Sequence, residues 1–277
     1  SFELPDNMYR HYPGPKFGRQ GIRELCGIEK GPILMSALKP LGRSAKDFGE
    51  TAYKLALGGC PLIKDDHSLF NQSYAPFKDR VKACVDSVNN ANAKTGGRSL
   101  YIANCTADSM EFLERAMTAQ ELGAGGIMAA PGLLGLSIIR ELSSAPDFHL
   151  PIFLHPCFSG PLVLSADSGI SPFCCYGQFS RLAGADAAIF TSFGGRFPFT
   201  EEVCRKICDG TETEMGGLRS IFPVPSGGMK WQLFKKMVQV YGPDAIFLVG
   251  GALLTESDDL TANMHFYFEK LNEAVNK

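Results

Sequence analysis

Apolar runs rich in Ile, Leu, Val and Ala recur along the chain, separated by amphipathic segments of helical period. Such runs suit strands buried on both faces, as in a parallel sheet whose connections are helices. They predict strands over Ile33 to Leu38, Pro61 to Lys64, Leu100 to Asn104, Gly126 to Ala130, Pro151 to His155, Ala187 to Thr191, Ile221 to Val224 and Ala245 to Val249. The intervening periodicity predicts helices over Ala45 to Leu57, Phe77 to Ala93, Ser109 to Leu122, Leu136 to Leu142, Cys175 to Leu182, Glu201 to Cys208 and Trp231 to Tyr241, with Asp258 to Val275 closing the chain. Cap residues stand ahead of several: Ser44, Thr106-Ala107-Asp108-Ser109 and Thr200-Glu201-Glu202. The opening 30 residues carry Pro5, Pro13, Gly14, Pro15 and Gly18, with a short helical patch from Gln20 to Cys26, and read as a lead-in segment or linker. Residues 31–277 then form one α/β domain with the strand–helix alternation of a (β/α)8 TIM barrel. That architecture places ligand chemistry at the C-terminal strand ends.

Composition narrows the classes. A chain of 277 residues, 45% hydrophobic with 30 glycines, is long enough to bury one large core. A formal charge of −2 gives no general attraction to nucleic acid or to an anionic membrane. Nine cysteines (26, 60, 84, 105, 157, 174, 175, 204 and 208) form no Cys-x-x-Cys pair and sit in apolar contexts. They are expected to be reduced and buried, as in a cytoplasmic protein. No signal peptide opens the chain and no apolar run reaches 18 residues, so no membrane association is expected.

The expected strand ends carry most of the chemistry. Lys39-Pro40 follows the first strand and Lys64-Asp65-Asp66-His67 the second. Asn104 and Thr106 end the third, His155 the fifth, and Ser192 with Gly194-Gly195-Arg196 the sixth. A lysine, two carboxylates and an imidazole crowded at the end of a buried strand are costly to assemble unless a ligand uses them, the alternative being a solvated turn. Ser226-Gly227-Gly228 and Gly250-Gly251 follow the seventh and eighth strands. Small residues there let backbone N–H groups reach an oxyanion, although paired glycines also serve tight turns; together they point to a phosphate site.

Four stretches carry a family resemblance: Gly31 to Asp47 (GPILMSALKPLGRSAKD), GGCPLIKDD ending at Asp66, FPVPSGG ending at Gly228, and LVGG ending at Gly251. In order and position they resemble the C-terminal barrel domain of the RuBisCO large-chain superfamily. The resemblance implies that Lys64 is carbamylated by CO2 and then binds Mg²⁺, that Asp66 is a carboxylate ligand to that metal, and that Lys39 is an acid/base lysine facing the substrate. It also implies that Ser226, Gly228, Gly250 and Gly251, with Gly227 between, hold one substrate phosphate. In that family an N-terminal domain precedes the barrel, and the adjacent subunit's copy completes the site. Its absence from this chain is expected to mean either that the chain is a fragment or that another polypeptide supplies the missing half, with the missing domain completing the site in a homodimer or higher oligomer.

The departures select a branch. The third metal ligand, a glutamate in the carboxylating enzymes, is His67. His155 matches a substrate-contacting histidine, but the following arginine, which helps hold a second phosphate, is Pro156, which offers no donor. A further histidine is Ile189, the mobile-loop lysine falls on Arg196, and a residue missing after Lys39-Pro40 removes another lysine. These losses argue against CO2 fixation. The chain is similar to RuBisCO-like proteins, and IKDDH with GISPFCCYGQFSRLAGAD looks most like the branch that processes 3-oxo-isoapionate 4-phosphate and related sugar-acid monophosphates. The expected reaction is decarboxylation of a 3-oxo acid phosphate through a metal-stabilised enolate, with enolisation or isomerisation of a ketose 1-phosphate as the alternative. His67 either tilts the site toward Mn²⁺ or another transition metal, or leaves the metal shell as a second acid/base group. Asp65, alternating away from Asp66, is expected to orient the loop. Arg196 and Asn104 are candidate substrate contacts. A Schiff-base lyase using Lys39 or Lys64, and a non-catalytic barrel binding a phosphometabolite, are the readings from other classes.

Overall fold

The computed structural model describes residues 1–165, 167–195 and 198–276. Eight parallel strands run β1 (Ile33–Leu38), β2 (Leu62–Asp65), β3 (Leu100–Asn104), β4 (Gly126–Ala129), β5 (Ile152–Leu154), β6 (Ala187–Thr191), β7 (Phe222–Ser226) and β8 (Ile246–Leu248). The hydrogen-bonded order is β7-β6-β5-β4-β3-β2-β1-β8, a (β/α)8 barrel in which β7 lies beside β8 without a ladder. Sequence explains that seam. Phe222 donates its N–H to Asp186 on the β6 side, so Pro223 and Pro225, of opposite parity, lack the donors that would face β8.

Helices α1 (Asp6–Tyr9) and α2 (Gly18–Cys26) precede the barrel; α3 (Ala45–Leu57), α4 (Phe77–Thr95) and α5 (Ser109–Glu121) follow the first three strands. After β4 come α6 (Pro131–Leu134) and α7 (Leu136–Ser144), and after β5 come α8 (Gly160–Val163), a π-helix at Phe173–Gln178 and α9 (Phe179–Leu182). The remaining helices are α10 (Glu201–Glu212), a 3₁₀ turn at Trp231–Leu233 leading into α11 (Phe234–Tyr241), α12 (Gly251–Leu254) and α13 (Leu260–Val275). Ser44 and Asp47 form a reciprocal capping box on α3, and Thr200 caps α10 by accepting from the Val203 N–H. Asp108, by contrast, makes no side-chain cap on α5.

Two faces of each strand build two cores. Ile33, Met35, Leu62, Ile102, Met128, Phe153, Ile189, Phe222, Val224 and Ile246 fill the barrel interior, and alternate residues such as Leu34, Ile63 and Phe190 meet the helices. Ile22 and Cys26 of α2 belong to the interior cluster. The segment read as a lead-in is therefore packed into the barrel, closing its N-terminal end. The buried Asp186 carboxylate anchors it, accepting the N–H groups of Phe17 and Gly18, both at 2.7 Å, and of Ile152 at 2.9 Å. All nine cysteines are free, six of them buried. Among the described residues no helix is long and apolar enough to cross a membrane.

Candidate active site

The register of β1 on β2 sets Ala37 beside Lys64 and Leu38 beside Asp65. The next residues, Lys39 and Asp66, therefore leave the sheet together, and the Lys39 ammonium pairs with Asp66 Oδ2. The Asp66 carboxylate is 2% exposed and the Lys39 side chain 41%, so the pair leads from the floor of the mouth to its opening. Burial raises the Asp66 pKa, but the Lys39 contact, the Ser68 N–H at 2.9 Å and the His67 charge outweigh it, and the carboxyl ends below its ordinary value.

Strand alternation turns Lys64 into the barrel and Asp65 out toward α4. Lys64 is buried and donates from Nζ to the Asp65 carbonyl at 2.9 Å. Burial lowers its pKa to about 8 against the attraction of Asp66 and Asp65, and the Lys39 charge adds to the lowering. Burial thus favours the neutral amine, the form that reacts with CO2 or a ketone.

Asp65, fully buried, accepts from Arg80 Nε at 3.1 Å, the Tyr101 hydroxyl at 2.8 Å and the Asn104 N–H at 3.0 Å. Arg80, also fully buried, reaches the carbonyls of Ala75 and Phe70, both at 3.0 Å. Asp65 thus orients the loop, as alternation predicts. Asn104 braces the same loop. Its amide donates to the carbonyls of His67 at 3.0 Å and Leu69 at 3.1 Å, while its oxygen accepts from the Thr106 N–H at 3.2 Å.

The His67 ring lies parallel to that of His155, with centroids 4.6 Å apart and planes 6° off parallel. His67 Nδ1 is 3.3 Å from Asp66 Oδ1, and His155 Nδ1 accepts the Cys157 N–H at 3.1 Å. Burial pushes the His155 pKa well below its ordinary value, and the charges of Lys64, His67 and Lys39 push the same way. These mutual influences place Lys39, Lys64, Asp66, His67 and His155 in one electrostatic cluster.

At the end of β7, Gly227 and Gly228 adopt φ of 88° and 80°, the left-handed region that favours glycine, in which successive backbone N–H groups can form an anion-binding turn. The Ser226 hydroxyl donates to the Phe190 carbonyl at 2.9 Å, leaving its oxygen as an acceptor. A Cβ at Gly250 would lie 4.0 Å from Lys39 Cε, so the β8 loop adjoins the lysine, and Gly251 faces open space. Ile189, where the resembled family has a histidine, sits in the apolar interior. Arg196 lies outside the described residues.

Among the described residues no three His, Cys, Asp or Glu side chains gather as a metal cluster. Asp66 and His67 alone offer a carboxylate and an imidazole, which is too few. The set fits a divalent cation once Lys64 carries a carbamate, because that turns a buried amine beside Asp66 into an oxygen ligand.

Sequence reading missed Arg80 and Asp186, the buried charges that hold the loop and the barrel floor. The one signal for Arg80 was its place on the apolar face of the amphipathic pattern at 77–93.

A family model described as the catalytic domain of the ribulose bisphosphate carboxylase large chain matches residues 18–263. The chain is 36% identical to a 5-methylthioribulose-1-phosphate isomerase of Rhodospirillum rubrum, across 94% of this chain and 68% of that protein. It is also 36% identical to a 2,3-diketo-5-methylthiopentyl-1-phosphate enolase of Geobacillus thermodenitrificans, across 91% of this chain and 61% of that protein. Among solved structures, a rubisco-like protein from Alicyclobacillus acidocaldarius superposes with a TM-score of 0.90 at 31% identity, covering 99% of this chain and 72% of that one.

Proposed function

We propose, from the premise that this chain belongs to the RuBisCO large-chain catalytic-domain family, that it is the barrel of a non-carboxylating RuBisCO-like enzyme. Its substrate is a keto-sugar or sugar-acid monophosphate, and its reaction passes through an enolate, most concretely by loss of CO2 from a 3-oxo acid phosphate. The observation that carries this reading is the convergence of Lys39, Lys64, Asp66, His67 and His155 at the strand ends, in a barrel whose β7 ends in the Gly227-Gly228 turn.

Each group has a task. Backbone N–H groups of Gly227, Gly228, Gly250 and Gly251, with Ser226, receive the phosphate. Pro156 and Ile189 supply no donor for a second phosphate, which favours a monophosphate. Lys39, half-exposed at the opening and paired with Asp66, exchanges a proton with the reacting carbon. Lys64 as carbamate, Asp66 and His67 would hold Mg²⁺ or Mn²⁺, and a bound cation supplies electrostatic stabilisation of negative charge on the substrate oxygens. Arg196 is assigned to the substrate's other end. A homodimer or larger assembly in which a further domain covers the mouth is part of the reading. Exposed Leu133, Phe158, Leu162 and Leu164 after β4 and β5 support it. The chain spans 61–73% of the length of the curated relatives it matches.

The names of the two relatives favour a second reading, enolisation or isomerisation of a ketose 1-phosphate. Intact mass and metal isotherms with and without bicarbonate test the shared site: one CO2 on Lys64 with metal affinity that depends on it is expected. Turnover of 3-oxo sugar-acid monophosphates against ketose 1-phosphates then separates the reactions. A chain that takes up neither CO2 nor metal, and binds phosphate esters regardless, is a binding barrel. Borohydride trapping of Lys39 or Lys64 with a ketone would instead establish a Schiff base.

A further inference from the structure

Residues Phe173–Gln178, between β5 and β6, are wound as a π-helix, a rare form that frequently stands at functional sites. Backbone contact keeps it in place. A Cβ at Gly177 would lie 2.4 Å from the Gly210 carbonyl carbon on α10, and one at Gly210 would lie 2.4 Å from the Phe173 carbonyl oxygen. The two glycines let the two backbones touch, so the π-helix cannot roll on α10. At its end the buried Gln178 grips the Phe2 backbone, accepting the N–H at 3.1 Å and donating to the carbonyl at 2.7 Å. Between these anchors Tyr176 packs its ring against Phe190 of β6 and edge-on to Phe199, with centroids 6.2 and 6.4 Å away.

The Tyr176 hydroxyl meets Ser159 Oγ at 2.7 Å, and both residues are buried. Ser159 has one hydroxyl proton and gives it to the Pro156 carbonyl at 2.6 Å, so Tyr176 is the donor to Ser159. The two bonds run in series, each polarising the next. They close the turn Pro156-Cys157-Phe158-Ser159, in which the Ser159 N–H also reaches the Pro156 carbonyl at 3.1 Å. Phe158, its third residue, has φ of 64° and is the one non-glycine with positive φ among the described residues. Turns with positive φ at that position normally take glycine there. A residue with a Cβ meets roughly a 5- to 30-fold population penalty. The ring is 68% exposed, so side-chain packing contributes little to holding it. The hydrogen bonds at Ser159 do the holding, and the Cys157 N–H of the same turn meets the His155 ring at 3.1 Å.

We infer that Tyr176 is a positioning residue for the site: through Ser159 it holds the strained turn after β5, and with it the amide against which the His155 ring is oriented. What that orientation serves rests on the function proposed above. Without the Tyr176 hydroxyl, Phe158 relaxes to negative φ, the Cys157 N–H turns away, and His155 loses the group that fixes its ring.

Amide hydrogen exchange of the whole chain labelled with ¹⁵N-cysteine tests this, with Cys157 assigned by its loss in Cys157→Ser. In Tyr176→Phe the Cys157 amide should exchange about tenfold faster, within the range for losing a buried hydrogen bond. Cys105, whose N–H pairs with the Met128 carbonyl at 2.9 Å, should stay within about twofold; equal acceleration at both would mean general destabilisation and overturn the inference. Ser159→Ala removes the contact from the loop side, leaves the aromatic packing intact and should act alike. Adding Tyr176→Phe to it should change the rate by less than about twofold. Phe158→Gly, which removes the strain, should return the Cys157 rate in Tyr176→Phe to within about threefold of wild type. Binding is then measured with Mg²⁺ and bicarbonate present. Tyr176→Phe should bind inorganic phosphate within about twofold of wild type, but 2-phosphoglycolate, which adds a carboxylate, about three- to tenfold more weakly, again with rescue by Phe158→Gly. Unchanged Cys157 exchange, absence of rescue, unchanged 2-phosphoglycolate affinity or equal loss of both ligands overturns the inference while the proposed function stands. If the exchange pattern is as expected and wild type binds neither ligand, the proposed function falls and the hold of Tyr176 on the turn remains.

Discussion

Replacing Arg80 by methionine tests the support beneath the site. The stem volume is retained and the guanidinium is lost. The Asp65 carboxylate, fully buried, then keeps the Tyr101 hydroxyl and the Asn104 N–H but loses its only cationic partner among the described residues. The carbonyls of Ala75 and Phe70 lose their donors as well. Removing one member of a buried ion pair costs about 3–5 kcal/mol, because the survivor's charge stays desolvated. At about 2–4 °C per kcal/mol, the conversion for large single domains, Arg80→Met should melt roughly 6–20 °C below wild type. Scanning calorimetry and urea titration, with unchanged m-value, would measure it. Because the same loop carries Asp66 and His67, metal affinity should fall even well below the melting temperature. A second substitution, Asp65→Asn, removes the stranded charge and should recover part of the loss. A drop under about 1 kcal/mol in Arg80→Met, or no recovery in the double variant, would refute the claim that the pair supports the loop.

Other consequences are as direct. Asn104→Ala leaves the His67 carbonyl without its side-chain donor and the Leu69 carbonyl with only the long contact from Arg80 and should cost about 1–3 kcal/mol by urea titration, with weaker Mg²⁺ binding in the presence of bicarbonate. Gly228→Ala, at φ 80°, should lose about 1–2 kcal/mol of stability and bind phosphate monoesters about tenfold more weakly. Gly31→Ala, at φ 85° and with nothing near its Cβ, should lose stability without losing phosphate; equal phosphate losses would exclude the β7 turn as the anion site. For Asp186, burial raises the carboxyl pKa to about 6 despite three backbone N–H donors. A raised folded-state value means stability present below the unfolded value, near 3.8, and lost as pH rises through about 6. Relative to Asp186→Asn, wild type should therefore gain about 2 kcal/mol between pH 7 and pH 4.5 in chemical denaturation, and a flat difference would show that the group does not titrate there.

Much of this protein was legible in one dimension. Strands buried on both faces leave unbroken apolar runs, so β1, β3 and β6 appear in the structure with the bounds that periodicity predicts. The Ser44 and Thr200 caps, glycine turns and the Lys64-Asp65-Asp66-His67 string are likewise local, because their chemistry acts within a few residues of where it is written. Strand alternation even separates Asp65 from its neighbours, since side-chain direction reverses at every residue.

The rest depends on contacts between residues far apart in the chain, which no local pattern encodes. That the two prolines of β7 put their missing donors on the unladdered β8 side is visible only in the barrel. The Gln20 to Cys26 patch looks like linker until Asp186, at the start of β6, ties its first turn into the barrel floor. That Asn104 braces the loop after β2, with three of its carbonyls around the amide, is visible only in the fold. The pairing of His67 with His155, 88 residues apart in sequence, exists only because the barrel brings β2 and β5 to one mouth. Sequence determined which chemical groups stand at the strand ends. Tertiary structure decided which of them remain available to a substrate, because burial and hydrogen bonding claim some for the fold before any ligand arrives.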